Sequence, residues 1–131
     1  MTYLIDTHAL VFWLTRRTLL GKNAARIFRR AERGEDSLYV SALSLFEIVM
    51  LVERGRFRLP MPWPQWMQTL EATSHVSVEP IGVEDISTAR NLKPLVDPFD
   101  RLIVGTAQRL GVPFITRDER ICASGLVTTI W

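Results

Sequence analysis

A chain of 131 residues with 47% hydrophobic and 23% charged side chains has the length for one domain and the composition for a sizeable core, and no repeat, low-complexity tract or Gly/Ser linker divides it, so residues 1–131 are expected to form a single domain. The net charge of +2 decides nothing about nucleic acid, and the lone cysteine, Cys122, excludes an intramolecular disulfide and a cysteine zinc site. The apolar amino-terminal run is interrupted by Asp6 and His8 and follows no basic residue, so it reads neither as a signal peptide nor as a membrane span, and a cytoplasmic setting is expected.

Tyr3 to Thr7 reads as a short buried strand, and His8 to Leu14 as a short apolar helix with Asp6 or Thr7 near its start. Leu20, Ala24, Ile27, Phe28 and Ala31 recur at helical spacing, which predicts a helix over 19–33 with arginines on its outer face, ended by Gly34 and Asp36. Ser37 to Val40 predicts a second strand. Ser41 or Ser44 can cap the next helix, which runs to about Arg54 before Gly55. Pro60, Pro62 and Pro64 break the chain ahead of a helix over 65–73. Val76 to Ile81 predicts a third strand, and 83–92 a helix that stops before Pro94. Asp97-Pro98-Phe99-Asp100 is the best helix start in the chain: Asp97 suits the N-cap, Pro98 the first position and Asp100 the third, and Gly111 ends the helix after Leu110. Val112 to Thr116 is a fourth strand and Leu126 to Ile130 a candidate fifth. Strands alternating with helices, most of them short apolar runs, predict an α/β fold around a mainly parallel sheet, with any site beyond the carboxyl ends of the strands.

Four carboxylates fall at such places. Asp6 closes the first apolar run, and Asp118 lies just past the fourth. Glu47 is the only charge between Ser41 and Val52, and Asp100 opens the apolar helix pattern after Asp97-Pro98. Read singly, Asp6 suits a helix cap and Asp118 the cap of a short turn at Glu119-Arg120-Ile121, as well as ligand roles. Asp97 reads as a cap, and Asp100 gains from a helix dipole. Glu47 resists such an account, because a Glu within an apolar helix either finds a narrow wet face or looks into a polar site. Acids of one sign in apolar surroundings call for a shared cation, and hard divalent metals take oxygen ligands.

The chain resembles the PIN-domain ribonucleases, and among them the VapC-like toxins of bacterial toxin–antitoxin pairs, over nearly its whole length. The resemblance rests on Leu4-Ile5-Asp6-Thr7-His8-Ala9-Leu10, on Val40-Ser41-Ala42-Leu43-Ser44-Leu45-Phe46-Glu47-Ile48, on Asp97-Pro98-Phe99-Asp100-Arg101-Leu102-Ile103 and on Phe114-Ile115-Thr116-Arg117-Asp118. It implies a PIN-like three-layer α/β/α sandwich with four to five strands. It also implies an acidic quartet of Asp6, Glu47, Asp100 and Asp118 as catalytic residues and ligands of Mg²⁺ or Mn²⁺, and an endoribonuclease that cuts tRNA or other structured RNA to inhibit translation and growth. Asp97 resembles the additional acid of one subgroup. Many members of that subgroup carry a histidine two residues before this Asp, where this chain has Leu95. A cognate antitoxin is implied, docked in an apolar groove, as is a homodimer or a toxin–antitoxin hetero-oligomer.

Beside the acids in sequence, Thr7, Ser41 and Thr116 are candidates to position water or phosphate, against ordinary capping or backbone bonding. Arg101 and Arg117 are candidate RNA contacts. The Arg26, Arg29, Arg30 and Arg33 cluster could guide a phosphate backbone, or could simply be a solvated helix face. His8 reads as core or as support for the first acid, and His75 as superficial. Phe12-Trp13 and the segment from Met61 to Trp66 could form the apolar groove for a partner helix, or be core. The competing readings are a metal-dependent nuclease or phosphatase outside toxin–antitoxin systems, and a non-catalytic binding module that keeps the fold.

Overall fold

Tyr3 and Ile5 belong to one hydrophobic core and Leu4 to another, on opposite faces of the first strand, as the two-residue period of a strand requires. That alternation divides the molecule into layers. The computed structural model describes residues 1–131. Its strands are β1 (Thr2–Ile5), β2 (Ser37–Ser41), β3 (Val76–Glu79), β4 (Phe114–Ile115) and β5 (Thr129–Ile130). All pairings are parallel, in the order β3-β2-β1-β4-β5. The helices are α1 (Thr7–Thr15), α2 (Lys22–Glu32), α3 (Ala42–Glu53), α4 (Trp63–Ala72), α5 (Val83–Ala89), α6 (Pro98–Leu110) and α7 (Glu119–Ser124). No helix is long and apolar enough to cross a membrane.

The larger core joins Tyr3, Ile5, Leu38 and Val40 of the sheet to Leu10, Ile27, Phe28, Ile48 and Leu70 of the helices. The smaller packs Leu4 and Phe114 against Ile103, Val104 and Ala107 of α6 and Ile121 of α7. Trp13 and Trp66 are interior residues of the larger core, at 8% and 4% exposure, so they are not free for a groove; Phe12, Met61 and Trp63 pack against that core half-buried. An ion cluster ties α6 to its neighbours: Arg109 of α6 donates to Asp85 of α5 at 2.8 Å and to Glu79 at the end of β3 at 2.7 Å.

The expected elements are present, with adjusted ends. The helix expected from Leu19 starts at Lys22, because Arg17–Leu19 forms a separate 3-10 turn and Gly21 takes the N-cap position. Gly21 has a packing reason to be glycine: a Cβ there would collide with the backbone and ring of Trp131. The fourth strand contracts to Phe114–Ile115, since the Val112 N–H closes the end of α6 on Ala107 and Pro113 has no N–H to give. The helix over 83–92 ends at Ala89, and its last residues close tight turns on Thr88 and Ala89 instead. Ser41, rather than Ser44, caps α3, accepting from the Leu43 N–H at 3.1 Å. After Asp118, where a short turn is expected, the chain forms the six-residue α7.

Candidate active site

In the order β3-β2-β1-β4-β5 the chain leaves β1 for one side of the sheet and returns to β4 on the other, so the crevice beyond the carboxyl ends of β1 and β4 is the topological switch point. Asp6 stands directly after β1, and Asp118 three residues after β4. Glu47 projects from the second turn of α3, and Asp100 from the first turn of α6. Glu47, Asp97, Asp100 and Asp118 line an open cleft of about 490 Å³; His8 and Asp118 also line an adjoining hollow of about 390 Å³ that reaches Asp6 and Arg117.

The carboxylates are held by different local devices. Asp6 occupies the N-cap position of α1 but makes no side-chain cap bond, and its Oδ2 instead accepts from Thr116 Oγ1 at 2.6 Å. The same Thr116 hydroxyl accepts from the Asp118 backbone N–H at 3.1 Å, so one buried threonine ties the ends of β1 and β4 together. Asp118 Oδ1 accepts from the backbone N–H groups of Arg120 and Ile121, capping α7, while its Oδ2 has no protein partner. Asp97 Oδ1 accepts from the Asp100 N–H at 3.0 Å, the cap bond its position predicts, and this fixes where Asp100 leaves the helix.

The electrostatics separate these acids from the other buried ones. Burial pushes the Glu47 carboxyl up to about 7, with Asp6, Asp100 and Asp97 adding to the rise. The Thr7 hydroxyl faces it and opposes the shift, without closing a hydrogen bond of ordinary geometry. Burial likewise pushes Asp100 up to about 6, helped by Asp97, Asp118 and Asp6, against the pull of Arg120. Asp6 is raised by burial too, in spite of its bond from Thr116. By contrast Asp36 is held below the ordinary range, chiefly by its hydrogen bond from Arg30. Asp85, which burial pushes up, is brought below that range by hydrogen bonds from Arg109 and the Gly82 N–H. Asp36 and Asp85 are more buried than any acid of the cleft, at 3% and 1% exposure, and no local sequence pattern marks either. Each is paired with arginine, whereas no cleft carboxylate is in an ion pair.

No three of these side chains converge closely enough to enclose a cation in the conformation described. The donor set nevertheless fits a hard divalent ion. It consists of oxygens, it is short of positive charge, and it includes fully buried Thr7 Oγ1, which has no hydrogen-bond partner.

The remaining candidates are distributed as follows. Arg117 is exposed and lies over the rings of Phe12, at 4.8 Å, and Trp131, at 5.8 Å, beside the hollow that reaches Asp6. Arg101 donates through Nε to the Leu95 carbonyl, bracing the loop before α6. Arg30 and Arg33 pair with Asp36 and Glu35 just ahead of β2, at the amino ends of the strands and so at the end of the sheet away from the acids. His8 is not core; it is exposed at the cleft mouth and shares with Asp6 the lining of the adjoining hollow. His75 is half-buried rather than superficial, its ring 6.4 Å from that of Trp13 and its Nε2 without a partner. Sequence reasoning missed the Phe46, Phe99, Arg54 and Arg120 side chains in the cleft. Arg54 was within reach of a helical count, since it stands seven residues after Glu47 and therefore on its face of α3.

A parallel α/β sheet with unpaired acids at its switch point defines a class of fold and site. Residues 3–125 match the model of the PIN domain, and the chain belongs to the PIN domain family. It is 34% identical over 122 residues to Ribonuclease VapC22 of Mycobacterium tuberculosis, covering 92% of this chain and 89% of that protein. In fold it is similar to VapBC2 from Rickettsia felis, solved bound to a DNA fragment from their promoter, with TM-score 0.71, 11% identity and coverage of 99% and 98% of the two chains. It is also similar to a toxin-antitoxin complex from Klebsiella pneumoniae, with TM-score 0.62, 17% identity and coverage of 98% and 96%.

Proposed function

We propose that the chain is a divalent-metal-dependent endoribonuclease, the toxin of a toxin–antitoxin pair in the cytoplasm, that hydrolyses phosphodiester bonds of tRNA or another structured RNA. The observation that carries this reading is the set of unneutralised carboxylates at the switch point, in a PIN-domain chain that is 34% identical over most of its length to a named ribonuclease.

Asp6 and Asp100 would hold Mg²⁺ or Mn²⁺ directly, with Glu47 and Asp118 completing the oxygen set directly, through water or at a second ion. When bound, such an ion lowers the pKa of water and offsets charge on the phosphoryl oxygens. The chain's own side chains supply the rest. Thr116 keeps an oxygen of Asp6 fixed, and the amino end of α7 fixes Asp118 through one oxygen while leaving the other free. Glu47, where it meets the ion only through water, would receive the proton of the attacking water. Arg117, braced on two aromatic rings, is placed to take a phosphate of the incoming strand. The toxin–antitoxin reading brings with it a protein inhibitor and an assembly of two or more chains. Its support here is likeness to solved complexes of that kind.

The deciding experiment incubates the purified protein with tRNA, other RNA, DNA and a phosphomonoester, with Mg²⁺ or Mn²⁺ and with chelator, beside Asp6→Ala and Glu47→Gln. The expected outcome is RNA cleavage that needs metal and disappears in both variants. Cleavage that survives chelation or either substitution overturns the shared-metal mechanism, and preference for DNA or a phosphomonoester overturns the ribonuclease.

A further inference from the structure

Phe46 leaves 51% of its surface exposed, although its neighbours Leu45 and Ile48 on the same helix are buried core. It immediately precedes Glu47, and with Phe99, the residue before Asp100, it forms part of the wall of the acidic cleft. Neither ring packs against another aromatic side chain. Arg54 and Arg120 stand in the same cleft and belong to no ion pair.

This combination is chemically specific. Unneutralised carboxylates with a cation suit the reacting phosphate, and free guanidinium groups suit its neighbours along a strand. Open aromatic faces suit a base that has left its own stack. An apolar partner helix is the poorer match, because only four of the eleven residues lining the cleft are hydrophobic. A site for phosphate alone would leave the two rings without purpose.

We propose that Phe46, with Phe99 lining the same cleft, is a stacking platform for an unpaired nucleobase beside the scissile phosphate, with Arg54 and Arg120 on flanking phosphates. Such a base must be unpaired, since one inside a continuous duplex has no free face to offer. This inference rests on the ribonuclease reading and adds the side chains that seat a base beside the cut.

The test measures kcat/KM with Mn²⁺ for Phe46→Ala, Phe46→Leu and Phe46→Trp on a short mixed-sequence single-stranded oligoribonucleotide. The same strand with an abasic nucleotide moved stepwise past the cut, and the same sequence as a duplex, serve as comparisons. Loss of one stack should lower kcat/KM about ten-fold in Phe46→Ala. Phe46→Trp should cut as the unmutated protein does and Phe46→Leu should stay low, because a stack needs a π-face. At one abasic position the unmutated protein and Phe46→Ala should become equal, which places the base against the ring. The melting temperature should not move, since Phe46 supports no core. Equal cutting by Phe46→Ala and the unmutated protein on the base-bearing strand overturns the platform. Full rescue by leucine does the same, being the signature of a plain apolar contact such as a protein-docking patch. Failure of the unmutated protein to cut any RNA instead defeats the ribonuclease reading, and shows in its own lane before any variant is compared.

Discussion

Glu47 and Asp85 are carboxylates of one fold in opposite circumstances. Asp85 is sealed at 1% exposure and is held ionised by Arg109; Glu47 is half-buried among other acids and belongs to no ion pair. Burial alone therefore does not mark the site. Lack of a cationic partner does, because a buried charge left unpaired costs several kcal/mol unless something outside the chain neutralises it. The consequence is measurable. Between pH 4.5 and about 7 the folded metal-free chain holds a Glu47 proton that the unfolded chain has already lost, so stability falls as pH rises through that window. After discounting for solvent screening, the loss is on the order of 1–2 kcal/mol. In chelator, Glu47→Gln should melt higher than the unmutated protein at pH 8 and nearly level with it at pH 4.5; a variant that melts no higher at pH 8 would show that the acid is not under strain. Thr116 offers a second check, since its hydroxyl alone links Asp6 to the Asp118 backbone. Thr116→Val should lower RNA cleavage about 10- to 100-fold, as loss of a ligand's supporting bond does, while Thr116→Ser keeps most of it.

At the scale of elements, α6 was legible at both ends, because Asp97, Pro98 and Gly111 signal locally and all three act as their positions suggest, Gly111 with φ of 64°. The placement of Asp6, Asp100 and Asp118 was legible because strand ends and helix starts are themselves sequence features, and that of Glu47 because it is the one charge in an apolar helix. The ion pairs of Asp85 and Asp36 were not equally so. Arg30 lies six residues from Asp36, but Arg109 lies 24 from Asp85, and no local pattern connects residues so far apart. Helix α7 was legible only as a turn, since six residues are too few for periodicity to speak. Asp97 lines the cleft and also acts on it through the start of α6. Its Oδ1 holds the Asp100 N–H, and its charge raises Asp100. Asp97→Ser should keep the cap, the stability and most of the cleavage, whereas Asp97→Ala should cost about 1 kcal/mol and lose activity through a misplaced Asp100. Serine failing as badly as alanine in cleavage, with stability intact, would make Asp97 a ligand.

For the whole molecule, strand order decides where the acids meet. Because β1 and β4 are neighbours, residues 110 or more apart in sequence come within hydrogen-bond reach, as Thr116 and Asp6 do at 2.6 Å. Folding thus assembles like charges that the unfolded chain keeps apart, and a divalent ion that binds the assembled set must stabilise the folded state by linkage. At a hundred times its Kd the gain is about 2.7 kcal/mol, or roughly 10 °C in Tm for a chain of this size. The gain should be larger at pH 8 than at pH 5, since Glu47 and Asp100, raised to about 7 and about 6, must shed protons before they bind metal. Asp100→Asn should blunt it. Thermal melts against MgCl₂ and MnCl₂ at the two pH values decide the matter without any RNA. Equal shifts in the unmutated protein and Asp100→Asn would place the ion somewhere other than the switch point, and a shift that shrinks as pH rises would contradict binding by these carboxylates.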